Sequence, residues 1–142
     1  MKISTKGRYA LRFMLDVALA GDGACLSIHQ VSKDQDISEK YLEQIVPFLL
    51  KNGFLLSIRG AHGGYKLARP QQDYTVGEIL RAVEGDLVPV ACLECGVDLC
   101  ERAPYCATLE VWREMQKAID AVVDNITLEK LRDIQIEKLQ IK

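Results

Sequence analysis

The sequence predicts a mainly α-helical fold with one small β-hairpin, and three observations support this prediction. Apolar residues recur at intervals of three and four over most of the chain, which is the pattern of amphipathic helices. Two short apolar runs separated by glycines interrupt that pattern near the middle of the chain and favour paired strands. With 142 residues the chain is long enough for one domain with a substantial core.

The first segment predicts a long core helix that Ser4 or Thr5 can cap and that ends before residues 21–23. Its apolar residues are spaced at three and four: Ala10, Leu11, Met14, Leu15, Ala18 and Leu19. Arg12 and Asp16 break this apolar stripe, so the segment does not fit a membrane span. We therefore expect a cytoplasmic protein that does not associate with a membrane.

Two shorter helices are predicted next, joined by the polar turn of residues 34–36. Ser27 can cap the first, which reaches Lys33, and Ser38 can cap the second. Two short helices joined by a tight turn indicate a helix-turn-helix, whose second helix enters the major groove of DNA. Pro47 lies inside that second helix, and because proline there costs about 3 kcal/mol, we expect a kink or break nearby.

A glycine-rich hairpin is predicted after the helix stop at residues 52–53. Residues 54–59 and 65–68 are the two candidate strands, with residues 60–64 between them. Behind a helix-turn-helix, such a hairpin indicates the wing of a winged-helix domain, whose glycines let the backbone approach DNA closely. Arg59 at its tip is expected to enter the minor groove, where the negative potential is strong.

The remaining helices carry more apolar surface than a small winged domain can cover. Thr75 and Glu78 form a capping box that opens a short helix ending at Val83, while Thr108 and Thr127 can cap two later helices. The apolar residues of the longer of these are Val111, Met115, Ile119, Val122, Val123 and Ile126. A second copy of the chain would cover them, so we expect a homodimer that binds a palindromic double-stranded operator.

Three parts of the chain follow from these elements. We predict a winged helix-turn-helix domain over residues 1–84, a cysteine-rich loop over 85–107, and a dimerisation helix with a C-terminal arm over 108–142. Residues 1–72 hold ten Lys or Arg against six Asp or Glu, whereas residues 73–142 hold eight against fourteen. The basic excess in the first half favours contacts with phosphates.

Four of the five cysteines lie within fifteen residues, at Cys92, Cys95, Cys100 and Cys106. Soft thiolates converging on one point favour an iron-sulfur cluster or zinc, while a redox thiol pair without metal is the third interpretation. A disulfide framework is not expected in a reducing compartment. Cys25, the remaining cysteine, is expected to be a small buried residue.

The predicted DNA contacts lie at the basic start of the first helix, at the start of the recognition helix and at the hairpin tip. They are Lys6, Arg8, Tyr9, Ser38, Lys40, Tyr41, Glu43, Gln44, Arg59, Gly60 and His62. Residues that begin a recognition helix reach base edges, whereas basic residues elsewhere contact phosphates. The sequence contains no nucleophile and base set, phosphate loop or metal-hydrolase motif, so we do not expect an enzyme.

Three separated motifs carry a family resemblance: MKISTKGRYA at residues 1–10, YLEQI at 41–45 and KNGFLLSIRGAHGGY at 51–65. They resemble the IscR-like (Rrf-type) winged-helix regulators of bacteria in order and spacing, and the resemblance covers nearly the whole chain. It implies a homodimeric repressor with a long dimerisation helix and a cysteine loop that holds a 2Fe-2S cluster. The implied ligands are Cys92, Cys100 and Cys106. The resemblance also implies that Glu43, otherwise a solvated helix residue, tunes which operators are bound.

The chain departs from the family's pattern at the fourth cluster ligand. The family's iron-sulfur regulator has a histidine where this chain has Leu109, and some relatives use an acidic ligand from the partner's first helix, where this chain has Arg8. Cys95 is the first substitute that we predict, followed by Glu101 or Glu110. The family's cysteine-metabolism branch implies an alternative, a metal-free regulator controlled by thiol oxidation or by a partner enzyme.

Overall fold

The computed structural model describes residues 1–98 and 100–140, which form six α-helices and one two-stranded antiparallel sheet. The helices are α1 (Thr5–Leu19), α2 (Ile28–Gln35), α3 (Glu39–Lys51), α4 (Val76–Glu84), α5 (Ala107–Val123) and α6 (Leu128–Gln140). Strands β1 (Leu55–Ile58) and β2 (Gly64–Leu67) lie between α3 and α4. The predicted fold class is confirmed. Position 99 of the predicted loop and positions 141–142 of the predicted arm lie outside the described residues.

Side chains predicted as caps fix the starts of the first four helices. The hydroxyls of Ser4, Ser27 and Ser38 each accept the backbone N–H three residues ahead, at 3.1, 3.1 and 3.2 Å. Thr75 and Glu78 form the predicted capping box, in which each side chain bonds the other residue's backbone N–H. These local bonds explain why the helix starts could be predicted from the sequence.

One predicted helix cap was wrong, and of the kink or break expected near Pro47 the break does not occur. Helix α3 continues through Pro47 to Lys51. Pro47 and Glu43 are both exposed, so water can bond the Glu43 carbonyl, which lacks its helical donor. Helix α5 begins at Ala107, and Thr108 therefore lies inside its first turn rather than at its cap.

Helix α1 lies at the centre of the hydrophobic core. Ala10, Phe13, Met14 and Ala18 on this helix are fully buried, with an exposed fraction of 0%. Helices α2, α3, α4 and α6 and strand β2 all pack against α1. The other buried residues of this core are Val17, Val31, Ile37, Leu42, Ile45, Val46, Leu49, Phe54, Leu55, Tyr74, Ile79 and Leu128. In the described part of the chain, every helix is too short or too polar to cross a membrane.

Two buried polar side chains also tie α1 to its neighbours. The Gln71 amide donates to the Ala18 carbonyl at 3.0 Å, and its oxygen accepts from Arg132 at 2.8 Å. The Asp16 carboxylate accepts from the Gln35 side chain at 3.1 Å, and burial raises the pKa of Asp16 to about 6. Polar contacts therefore fix α1 against both α2 and α6.

The hairpin is joined to the segment before α2. Leu55 of β1 lies opposite Leu67 of β2, and an isolated bridge pairs Leu26 with Tyr65 through bonds of 2.9 and 2.8 Å. Gly64 allows this close approach, because a Cβ at that position would lie 2.4 Å from the Leu26 carbonyl oxygen. The hairpin therefore keeps a defined position relative to α2.

Tyr74 anchors the base of the hairpin in the core. Its side chain is completely buried, and its hydroxyl donates to the Phe54 carbonyl at 2.8 Å. The same oxygen accepts the backbone N–H groups of Ala68 and Arg69, each at 2.9 Å. One hydroxyl thus joins the chain before β1 to the chain after β2.

We predict that Tyr74→Phe lowers the free energy of unfolding by about 2 kcal/mol, because buried backbone groups lose a hydrogen-bond partner. Urea unfolding followed by circular dichroism measures this change. Tyr105→Phe is the matched control, since the Tyr105 side chain is 89% exposed, and it should change stability by less than about 0.5 kcal/mol. Equal effects of the two substitutions would contradict the anchoring role.

Candidate DNA interface and cysteine loop

Helix α2, a short turn and helix α3 form a helix-turn-helix on one side of α1. Asp36 ends α2 in the left-handed conformation, with φ of 53°, and its N–H bonds the Ser32 carbonyl. The Ser32 hydroxyl donates to the Ile37 carbonyl at 2.6 Å, and this bond ties the end of the turn back to α2. Arg12 of α1 donates to the Gln35 side chain at 3.0 Å and so holds α2 against α1.

The predicted recognition residues lie along the exposed side of α3. Ser38, Lys40, Glu43 and Gln44 are exposed, and Tyr41 is half-buried. The opposite side of the helix is buried through Leu42, Ile45, Val46 and Leu49. Since packing fixes one side, the polar side at the start of the helix is presented outward, which is the arrangement required for insertion into a groove.

The predicted contact residues of α1 lie beside α3. The rings of Tyr9 and Tyr41 meet edge to face with centroids 5.4 Å apart, and the Lys6 ammonium lies 3.4 Å from the centroid of the Phe48 ring. Arg8 is exposed. The structure therefore joins residues of two predicted DNA-binding segments into one surface, which the spacing of the sequence alone does not reveal.

The tip of the hairpin carries the predicted wing residues. Arg59, Gly60 and His62 are all exposed, and Gly60 has a φ of 114°, which favours glycine. A Cβ at Gly63 would lie 2.0 Å from the Ile58 carbonyl oxygen, so this glycine is required for the tight tip. The side chains of Arg59 and His62 are accessible to a nucleic acid.

Three of the clustered cysteines lie around one small cavity in the loop between α4 and α5. Cys92, Cys100 and Cys106 line a cavity of about 30 Å³ together with Ala103 and Leu109. Cys92 and Cys100 are exposed and Cys106 is half-buried, so the thiols form the accessible side of this cavity while Leu109 is buried. The cavity gathers soft sulfur donors in an apolar setting, which suits a thiophilic metal centre.

The proposed substitutes for the fourth ligand are placed elsewhere. Cys95 is exposed, its backbone N–H donates to Asp86 at 2.8 Å, and it is not part of the described lining of the cavity. Glu110 pairs with Arg113 at 2.7 Å, and Glu101 is exposed. Within residues 1–98 and 100–140, no three His, Cys, Asp or Glu side chains stand close enough to hold a single metal ion.

Hydrogen bonds at the start of α5 act on the Cys106 thiol. Its sulfur lies 3.2 Å from the Thr108 hydroxyl, and hydrogen bonding from that hydroxyl and from the Leu109 N–H lowers the pKa of the thiol. A lowered pKa favours the thiolate, the form that binds metals and reacts with oxidants. Cys25 is half-buried rather than buried as predicted.

The helix-turn-helix, the hairpin behind it and the exposed polar side of α3 define a winged-helix DNA-binding protein. Residues 3–133 match the model of the Rrf2 family, described as an iron-dependent transcriptional regulator. The chain therefore belongs to the Rrf2 family of transcriptional regulators, as the sequence motifs predicted, and it is not an enzyme.

Individual relatives agree with this assignment. The chain is 39% identical over 131 residues to protein rrf2 of Nitratidesulfovibrio vulgaris, covering 92% of this chain and 87% of that protein. It is 37% identical over 131 residues to the HTH-type transcriptional regulator IscR of Serratia proteamaculans, covering 92% and 79%. The structure of CymR, the global cysteine regulator of B. subtilis, superposes with a TM-score of 0.82 at 37% identity, covering 94% of this chain and 98% of that one.

We predict that Thr108→Val slows alkylation of Cys106 near neutral pH in the reduced, metal-free protein. Loss of the hydroxyl hydrogen bond raises the pKa of the thiol, so a smaller fraction is present as the reactive thiolate. Iodoacetamide labelling across a pH series, followed by peptide mass spectrometry, should show the rate profile moving to higher pH. Thr108→Ser keeps the hydroxyl and should retain the original profile. An unmoved profile in Thr108→Val would refute the role of this hydrogen bond.

Proposed function

We propose that the protein is a homodimeric repressor that binds palindromic double-stranded operators and senses iron-sulfur or redox status through a 2Fe-2S cluster on its cysteine loop. The observation that carries this proposal is the convergence of Cys92, Cys100 and Cys106 on one small cavity. When bound, such a cluster supplies a centre that oxidants can alter and that can be lost under iron limitation. The protein positions the thiols, and a change in the cluster state of the loop would change the affinity of the dimer for operator DNA.

The donor set fits a 2Fe-2S cluster in its chemistry, but it is one ligand short. Cys92, Cys100 and Cys106 would supply three thiolates, with small rearrangements of an exposed loop bringing them to ligating distance. Cys95 remains the candidate that we favour for the fourth position, because it lies in the same exposed segment. Leu109 forms the buried wall of the cavity and has no ligating atom.

The proposed DNA contacts use the surface shared by α1, α3 and the hairpin. Residues at the start of α3 would read base edges in the major groove, and Arg59 would approach the adjacent minor groove. Lys6 and Arg8 would contact phosphates, which fixes the protein on the duplex and makes its affinity dependent on salt. The exposure of Arg8, Lys40 and Arg59 and the contacts between α1 and α3 support this docking.

A second copy of the chain is the proposed partner for the apolar side of α5. Val111, Met115 and Val122 are 53%, 44% and 57% exposed, values that are high for large apolar side chains on one helix. A further apolar groove combines α5 with Leu80 and Leu87. Pairing two α5 helices about a two-fold axis would cover this surface and place two winged domains for a palindromic site.

The alternative is a metal-free regulator of cysteine metabolism, controlled by thiol oxidation or by a partner protein. Its support is the likeness to the solved cysteine regulator CymR and the separation of the three thiols beyond the reach of one metal ion in the described conformation. The lowered pKa of the Cys106 thiol also suits a redox-active cysteine. Metal content distinguishes this alternative from the cluster proposal.

We predict that the protein purified without oxygen is brown and contains about two iron and two acid-labile sulfide per chain, as a 2Fe-2S cluster requires. Replacing Cys92, Cys100 or Cys106 by Ala should remove the visible absorption and most of the iron, because each supplies one thiolate. Absorption spectra combined with iron, sulfide and zinc analysis measure both quantities.

Cys25→Ala is the matched control and should retain the cluster, since Cys25 lies outside the loop. Cys95→Ala decides the fourth ligand, because an unchanged cluster lifetime would remove Cys95 from that role. A colourless, iron-free wild-type protein would reject the cluster proposal. Bound zinc would then indicate a zinc site, and the absence of metal would favour thiol or partner control.

We predict that Arg59→Ala weakens operator binding about tenfold at physiological salt. The variant should also lower the slope of log affinity against log salt concentration by roughly one, because one phosphate contact is lost. Fluorescence anisotropy with labelled operator DNA over a salt series measures both effects. Arg113→Ala on α5 also removes one positive charge but should leave affinity nearly unchanged, since Arg113 pairs with Glu110. Equal affinity of the Arg59→Ala variant and the wild type would remove the hairpin tip from the interface.

A further inference from the structure

A carboxylate from α4 closes the N-terminus of α1. Glu84 accepts the backbone N–H of Ser4 at 3.0 Å through Oε1, and the Ser4 hydroxyl donates to the same oxygen. That hydroxyl also accepts the N–H of Gly7 at 3.1 Å, so it links Glu84 to the first turn of the helix. The first turn of α1 contains no acidic residue. The negative charge that stabilises a helix N-terminus is therefore supplied by Glu84, a residue 80 positions away.

Gly7 provides the space for this contact. It is buried, and a Cβ built on it would lie 2.1 Å from Glu84 Oε1 and 3.0 Å from Glu84 Cγ. Gly7 is not among the glycines with positive φ, so its backbone does not require glycine. Glycine is among the poorest helix formers, and its presence inside α1 is explained by the approach of the glutamate.

Glu84 lies between the two parts of the molecule that the proposed function must connect. It is the last residue of α4, and Gly85, with a φ of 80°, begins the segment that leads into the cysteine loop. The Glu84 side chain also contacts the N-terminal end of α1, where Lys6 contacts Phe48 of α3. A displacement of the loop at residue 85 therefore acts first on the carboxylate that caps α1.

Ion pairs hold the turn of α4 before Glu84 against α5. Arg81, one turn before Glu84, bonds Asp124 at 2.6 Å and Asp120 at 2.7 Å. These contacts clamp α4 to α5, the helix that follows the cysteine loop. Arg81 thus holds α4 against the C-terminal end of α5, and the Glu84 side chain, one turn later, contacts α1.

We infer that Glu84 is a positioning residue that transmits the state of the cysteine loop to the DNA-contacting end of α1; this inference rests on the function proposed above. When the loop moves the end of α4, the hydrogen bonds from Glu84 to Ser4 tighten or loosen. The first turn of α1 follows, and with it the placement of Lys6 and Tyr9 against the recognition helix. Glu84 contacts no base or phosphate in this scheme and acts only through α1.

Two substitutions separate positioning from simple charge. Glu84→Gln removes a negative charge, which by electrostatics alone would raise DNA affinity because less charge repels the phosphates. Gly7→Ala leaves every charge in place and favours the helix, but its methyl group displaces the Glu84 carboxylate. The amide oxygen of the Glu84→Gln variant can still accept from Ser4, but more weakly than a carboxylate, and Gly7→Ala displaces the carboxylate itself. Positioning therefore predicts that both variants lose operator affinity, by up to roughly fivefold, the size of a lost helix cap.

The experiment measures operator affinity by fluorescence anisotropy for the wild type, Glu84→Gln and Gly7→Ala, each in the cluster-loaded and cluster-free states. Thermal unfolding, cluster absorption and oligomeric state are recorded for every variant to verify folding. We expect both variants to bind more weakly and the ratio of affinities between the two loop states to fall toward one. Asp73→Asn, which also removes one exposed negative charge, should keep the wild-type ratio of affinities between the two loop states.

The outcomes distinguish this inference from the proposed function. Suppose that the operator affinity of the wild type differs between the cluster-loaded and cluster-free states. If both variants then keep the wild-type affinity and the wild-type ratio of affinities between these states, the role of Glu84 is overturned. If the wild type does not respond to the loop state, the sensing function fails, and Glu84 is judged on affinity alone. In that case a loss of affinity in both variants supports positioning through α1, whereas a gain in Glu84→Gln indicates a charge effect only.

Discussion

The burial of α1 on nearly every side determines where the other elements lie. Ala10 and Ala18 are small enough for neighbouring helices to approach the α1 backbone, and Phe13 fills the space toward the hairpin, with its ring centroid 6.2 Å from that of Tyr65. The helix-turn-helix, the hairpin and α4 are therefore all positioned against one helix. Since a close-packed core transmits displacement, a shift at either end of α1 reaches the surfaces that we propose bind DNA.

The sequence could predict those parts of the fold that depend on nearby residues. The Ser4, Ser27 and Ser38 caps each involve a backbone N–H three positions ahead, and apolar spacing identifies the buried side of each helix. Local sequence alone could not predict whether α3 breaks at Pro47. Its cost of about 3 kcal/mol is local, whereas the burial of Leu49 that holds α3 together beyond it depends on tertiary packing.

For the cysteine loop, too, the sequence could predict what depends on spacing but not what depends on distant contacts. Spacing indicated that the cysteines would gather, and three of them line one cavity. Spacing could not show that Cys95 lies outside this lining, because its place depends on a hydrogen bond to Asp86, nine residues earlier. The contact between Ser4 and Glu84 spans 80 residues and leaves no periodic pattern in the sequence. The only nearby sequence feature related to this contact is Gly7, a glycine within an otherwise regular helical segment.

The start of α1 faces two opposing electrostatic demands. A helix N-terminus favours a nearby negative charge, whereas a surface that approaches phosphates, the role we propose for Lys6 and Arg8, favours positive charge. An acidic residue in the first turn would meet the first demand and weaken the second. A carboxylate that reaches Ser4 from α4 stabilises the helix and leaves Lys6 and Arg8 without an acidic neighbour in that turn. The consequence is that the order of this helix end depends on the position of α4, and so the stability of a proposed DNA-binding segment becomes conditional on a distant part of the chain.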